Sequence, residues 1–165
     1  MSLENFALIA EIVGGLAVLV TLIFLILELR GSAKTLKANT NAESYANWAN
    51  VNETLSQHPD RVAISQAFDT NKVWNDFTSE QQASIQIFAR ALFQRFQSLH
   101  FKYDAGILDE AVWQQNLVWC SSLVSYPVWK TIWDNEKTQP VFSAEFISAI
   151  EGAPVVAVSA GALSD

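Results

Sequence analysis

The sequence predicts an all-α protein: one N-terminal transmembrane helix followed by a small helical bundle. Three observations carry this. Ile12 to Leu27 contains no charged residue. Beyond that run, apolar residues recur every three or four positions, the period of a helix face. Capping and stopping residues bracket those stretches, and neither a strand pattern nor an internal repeat is evident.

The apolar run extends back to Phe6, interrupted only by Glu11. Phe6 to Leu27 makes roughly 33 Å of helix, which matches a hydrocarbon core of about 30 Å. A cleaved signal peptide fits poorly. Met1 to Asn5 has Glu4 and no Lys or Arg, and Glu28-Leu29-Arg30 follows the run in place of a small-residue cleavage site. A core helix of a soluble protein is the bland alternative. Arg30, Lys34 and Lys37 flank the run on its C-terminal side, so the positive-inside rule puts the C-terminal part of the chain in the cytoplasm. Phe6 and Phe24 are candidate interface anchors. The expected division is 1–30 transmembrane helix, 31–152 helical cytoplasmic domain and 153–165 C-terminal tail.

Gly31-Ser32 is a candidate kink or break. Ala33 to Gln57 then reads as helix, with Tyr45, Trp48, Val51 or Asn52, and Leu55 at helical spacing. Its many Asn residues are weak helix formers, so tertiary packing must hold it. His58-Pro59 ends it, and Pro59 suits the first turn of a short helix, Asp60 to Phe68. Thr70 to Phe77 reads as a loop. Thr78 and Gln81 form a capping box opening the strongest helix, Ser79 to about Ala105. Ile85, Phe88, Leu92, Phe96, Leu99 and Tyr103 give it one apolar stripe. Gly106 stops it. Asp109 is the expected N-cap of a helix to about Val124, whose apolar residues cover more than one face and make it the most buried. Tyr126-Pro127 starts a helix with Trp129 and Trp133 at i,i+4, which Gln139-Pro140 ends. Ser143 caps Ala144 to Glu151, and Gly152 closes it. The remaining tail has no periodicity, so its order depends on docking.

A net charge of −7 argues against nucleic acid as a partner, since that needs a basic face. Three juxtamembrane cations fall short of the usual lipid-binding cluster. Cys120 has no second cysteine to pair with and no basic neighbour in sequence; beside Trp119 and Leu123 it reads as a buried, inert thiol. No phosphate loop, nucleophile elbow or zinc spacing occurs, so no catalytic residue, cofactor or metal ligand is assigned. His100 and Asp104 lie at i,i+4 and read as a surface pair or a capped histidine, not as ligands. Trp113, Trp129 and Trp133 read as core, with a ligand pocket as the weaker alternative.

The sharpest signal is in the apolar run. At a 3.5-residue repeat, Glu4, Ala7, Glu11, Gly14, Val18, Thr21, Leu25 and Glu28 share one seam. It collects the acids, a glycine and a threonine, while Ile, Leu and Phe dominate elsewhere. Small residues let helices approach, and an acid inside an apolar run faces protein or water. Glu4, Glu11, Gly14, Thr21 and Glu28 are therefore the candidate self-association seam. Stacked carboxylate rings would make it a cation pore, and Glu11 at the headgroups would leave a plain anchor.

In order along the chain stand Ala10-Glu11-Ile12-Val13-Gly14-Gly15, Leu27-Glu28-Leu29-Arg30, His58-Pro59, Tyr103 to Trp113, Pro127 to Trp133 and Phe142 to Phe146. Over about residues 5–152 this succession resembles an uncharacterised family of small bacterial single-span membrane proteins with a helical cytoplasmic domain. The resemblance implies an inner-membrane location and supplies no activity. The expected function is a membrane-anchored helical interaction protein that self-associates, with lipid, its own copies and a membrane protein as candidate partners. A channel or transport component and a membrane-tethered ligand sensor or enzyme are the alternatives.

Overall fold

The computed structural model describes residues 3–154, including the side chains of Asn5 and of residue 11 onward. The expectations for the Glu4, Phe6 and Ala7 side chains and for tail residues 155–165 lie outside the described residues. The order is α1 (Leu3–Gln57), α2 (Arg61–Gln66), a 3-10 turn (Trp74–Asp76), α3 (Ser79–Asp104), α4 (Glu110–Leu123), α5 (Pro127–Glu136) and α6 (Ala144–Gly152). The described residues include no strand, so the all-α class holds. The chain divides into two compact units, Met1–Asn39 and Thr40–Asp165.

In the first unit, Gly31 and Ser32 are helical, so of the candidate kink or break there the break is absent. The Thr35 hydroxyl donates to the Gly31 carbonyl at 3.1 Å within the intact ladder. One isolated glycine costs a helix only about 1 kcal/mol, too little to end one this long. By length and composition this helix can cross a membrane, and none of its most apolar window is buried.

The second unit is a bundle centred on α3, which packs on α2, α4 and α5, while α6 packs on α4. The α3 capping box forms as expected: the Thr78 hydroxyl accepts from the Gln81 N–H at 3.3 Å, and the Gln81 side chain accepts from the Thr78 N–H at 3.0 Å. Gly106 adopts φ +73°, the left-handed conformation that terminates α3. Pro127 stands at the first position of α5, and the Ser143 hydroxyl accepts from the Phe146 N–H. Ile85, Phe93, Phe96, Trp129 and Phe146 are fully buried.

Several boundaries differ from expectation. The 70–77 loop contains the Trp74–Asp76 turn, held by the Asp76 carboxylate accepting from the Val73 N–H at 3.0 Å. α2 begins at Arg61, so Pro59 precedes it rather than forming its first turn; the His58 Nδ1 accepts from the Asp60 N–H instead. α5 stops at Glu136, ahead of Gln139-Pro140.

Candidate functional site

Of the seam residues, Glu11, Gly14, Thr21 and Glu28 are all exposed on α1. Glu11 and Glu28 stand about 26 Å apart along the axis, so their carboxylates do not meet within one chain. A Cβ added at Gly14 would touch nothing, which leaves that face open. The Thr21 hydroxyl donates to the Ala17 carbonyl at 2.9 Å, meeting its hydrogen-bonding need within its own helix. Among the described residues the seam is thus an open surface.

Thirteen large apolar side chains from Ile12 to Leu29 are 47–69% exposed. Burying a Val, Leu, Ile or Phe is worth about 1.5–3 kcal/mol, so leaving these in water forgoes on the order of 20 kcal/mol.

The second unit holds a feature that sequence reasoning undervalued. From Asn41 onward, α1 runs parallel to α4 in a fixed register. Asn41 donates its amide to the Asp109 carboxylate and accepts from the Asp109 N–H. Asp109 is the α4 N-cap residue by position, yet its side chain does not cap the helix. One heptad on, the Trp48 indole donates to Asn116 Oδ1 at 3.1 Å, and Asn116 donates to the Val112 carbonyl at 2.7 Å. Trp48 meets Trp119 edge-on, with centroids 4.5 Å apart.

Arg95 seals the other flank of Trp48. Its guanidinium lies 4.9 Å over the indole and donates to the carbonyls of Asn47 at 2.7 Å and Ser44 at 3.2 Å. Burial lowers its pKa, and the two carbonyls and the ring face serve in place of a carboxylate.

Beyond the Trp48–Asn116 tie the two helices help to line a half-open cavity of about 840 Å³. Val51 and Leu55 of α1, Trp119 and Leu123 of α4, and Phe68 and Tyr126 face it. None of the fifteen lining residues is charged. Trp119, read as part of a buried helix, is 44% exposed here. The missed signal was the pairing of Trp48 and Trp119 across the chain, which no local spacing announces.

The remaining candidates are structural. Trp113, Trp129 and Trp133 are core, as expected. Cys120 is buried, and burial pushes its thiol pKa well up, away from the reactive thiolate. His100 lies inside, not on the surface: it packs edge-on to Trp113 at 5.0 Å, and its Nδ1 stands 3.4 Å from Asp104 without hydrogen-bond alignment. Among the described residues no three His, Cys, Asp or Glu side chains converge as a metal site. The buried carboxylate of Glu136 accepts from Arg90 Nε and Nη2, each at 2.8 Å, and from the Gln86 amide at 3.1 Å. The Arg90 hydrogen bonds hold its pKa below the usual value.

Compared with known protein families, curated proteins and solved structures, the chain matches none.

Proposed function

We propose that the protein is a membrane-anchored interaction module of a bacterial inner membrane, self-associating through the Glu11 seam and presenting the helical bundle to the cytoplasm. The carrying observation is the apolar surface from Ile12 to Leu29, which is left exposed among the described residues. Lipid satisfies that surface, and a helix whose backbone bonds are internal tolerates lipid. Arg30, Lys34 and Lys37 support a cytoplasmic bundle. Glu11, exposed at the edge of the apolar stretch with Gly14 beside it, supports contact between copies, because an acid in hydrocarbon is expensive and a glycine permits close approach.

Protease treatment of spheroplasts carrying a C-terminal tag tests orientation: protection until lysis is expected, and cleavage from outside defeats the topology. Crosslinking in native membranes tests the seam. Gly14→Leu should abolish the oligomer, while Leu22→Ile should preserve it. Equal behaviour of both variants removes the seam as the interface.

A further inference from the structure

The parallel register of α1 and α4 implies a third contact. Asn41 pairs with Asp109, and Trp48 with Asn116, each 68 residues apart. The next heptad step is Leu55 with Leu123, yet both of these line the cavity. Apolar side chains placed for a seam border open space there, and Phe68, Phe88 and Tyr126 remain only partly buried around it. This contrasts with a core in which Trp129, Phe93 and Phe96 are fully buried. A close-packed bundle gains nothing from such a void, since unfilled contacts forfeit dispersion energy.

We infer that this cavity is a binding site for an uncharged, lipid-like small molecule with a hydrocarbon body and a neutral hydrogen-bonding end. Three observations select that chemistry. Its volume of about 840 Å³ falls within the usual range for small-molecule sites. The chain carries 27 charged side chains, 10 basic and 17 acidic, and none lines the cavity. A carboxylate or phosphate there would lose its hydration without gaining a counter-charge. The polar groups present are neutral: the side-chain amides of Asn52, Gln114 and Gln115 and the hydroxyls of Ser65, Ser122 and Tyr126. Two ring pairs stand in the lining, Trp48–Trp119 and Phe68–Tyr126, the latter with centroids 6.0 Å apart.

The test uses the full chain in membrane vesicles and a long-chain alcohol carrying a photoactivatable diazirine, with labelled positions mapped by mass spectrometry. Labelling at residues 48–55 and 115–126 is expected, and the matching fatty acid should label these positions about tenfold less. Leu55→Trp, which fills the cavity, should cut alcohol labelling there about tenfold while circular dichroism stays unchanged. Should that variant fail to fold, Val118→Phe gives the same reading from α4. The inference is overturned by labelling confined to residues 12–29, by equal labelling with the fatty acid, by labelling that survives both fillings, or by crosslinks showing a second copy or partner helix in the cavity. Because the readout lies in the bundle, it does not depend on how the N-terminal helix meets the membrane.

Discussion

Phe24 and Phe96 carry the same side chain on the same kind of helix, yet Phe24 is 65% exposed and Phe96 is fully buried. The difference lies in their neighbours. Around Phe24 Ile, Leu and Val crowd most directions and only the narrow Thr21–Glu28 seam differs, so no apolar stripe is marked for a protein core. Around Phe96 the apolar positions form one stripe. Ile85 lies on it and is buried, while Ile87, two residues on and round the helix, is 71% exposed. Hydrophobicity alone says that a segment leaves water. Its periodicity says what it leaves water for.

That contrast can be broken or sharpened by substitution. Phe96→Ala should destabilise the bundle by about 3–5 kcal/mol in urea unfolding, whereas Phe24→Ala should leave the bundle's midpoint where it was. Equal destabilisation by both would erase the distinction. Acid should act next, and on the bundle alone. The folded-state pKa of Glu136 lies below its unfolded value, so its stabilising contribution is full above about pH 4.3 and disappears as pH falls through the lower folded value. Glu136→Gln should flatten the acid limb of melting temperature against pH; an unchanged limb would show that other carboxylates govern it.

Smaller effects probe the edge between α1 and α4. Asn116→Ala strands the Trp48 indole N–H and should cost about 1–3 kcal/mol. A neutral result would mean that the ring contacts of Trp48 alone hold the two helices in register. The smallest effect is local: Thr78→Ala removes one half of the α3 capping box and should cost about 1 kcal/mol, with Thr78→Ser restoring it. Failure of Ser to rescue would assign the loss to packing rather than to the cap.

Much of the fold was legible because its signals are local. The Thr78–Gln81 box, Pro127, Ser143 and Gly106 each act within one turn, and each helix end they mark lies within a residue or two of its expected place. The helical continuity at Gly31 was not legible, because a weak glycine penalty had to be judged against the length of the whole helix. His100 looked like a surface residue because its helical neighbour Asp104 is one; what buries it comes from α4 and α6, as Trp113 and Phe146. The cavity was least legible of all. It depends on a spacing between helices whose residues stand 68 positions apart, and on side chains brought to one cavity from both of them.

The same separation sets a schedule for the growing chain. Trp48 leaves the ribosome without its partner, and Asn116 emerges 68 residues later. At about 5–20 residues per second that interval is roughly 3–14 s. Throughout it the apolar stretch before Arg30 has already emerged, while the later part of α1 has nothing to close against. Emergence of the apolar stretch therefore precedes closure of the bundle by seconds, and the order of the two events is written into the distance between an indole and an amide.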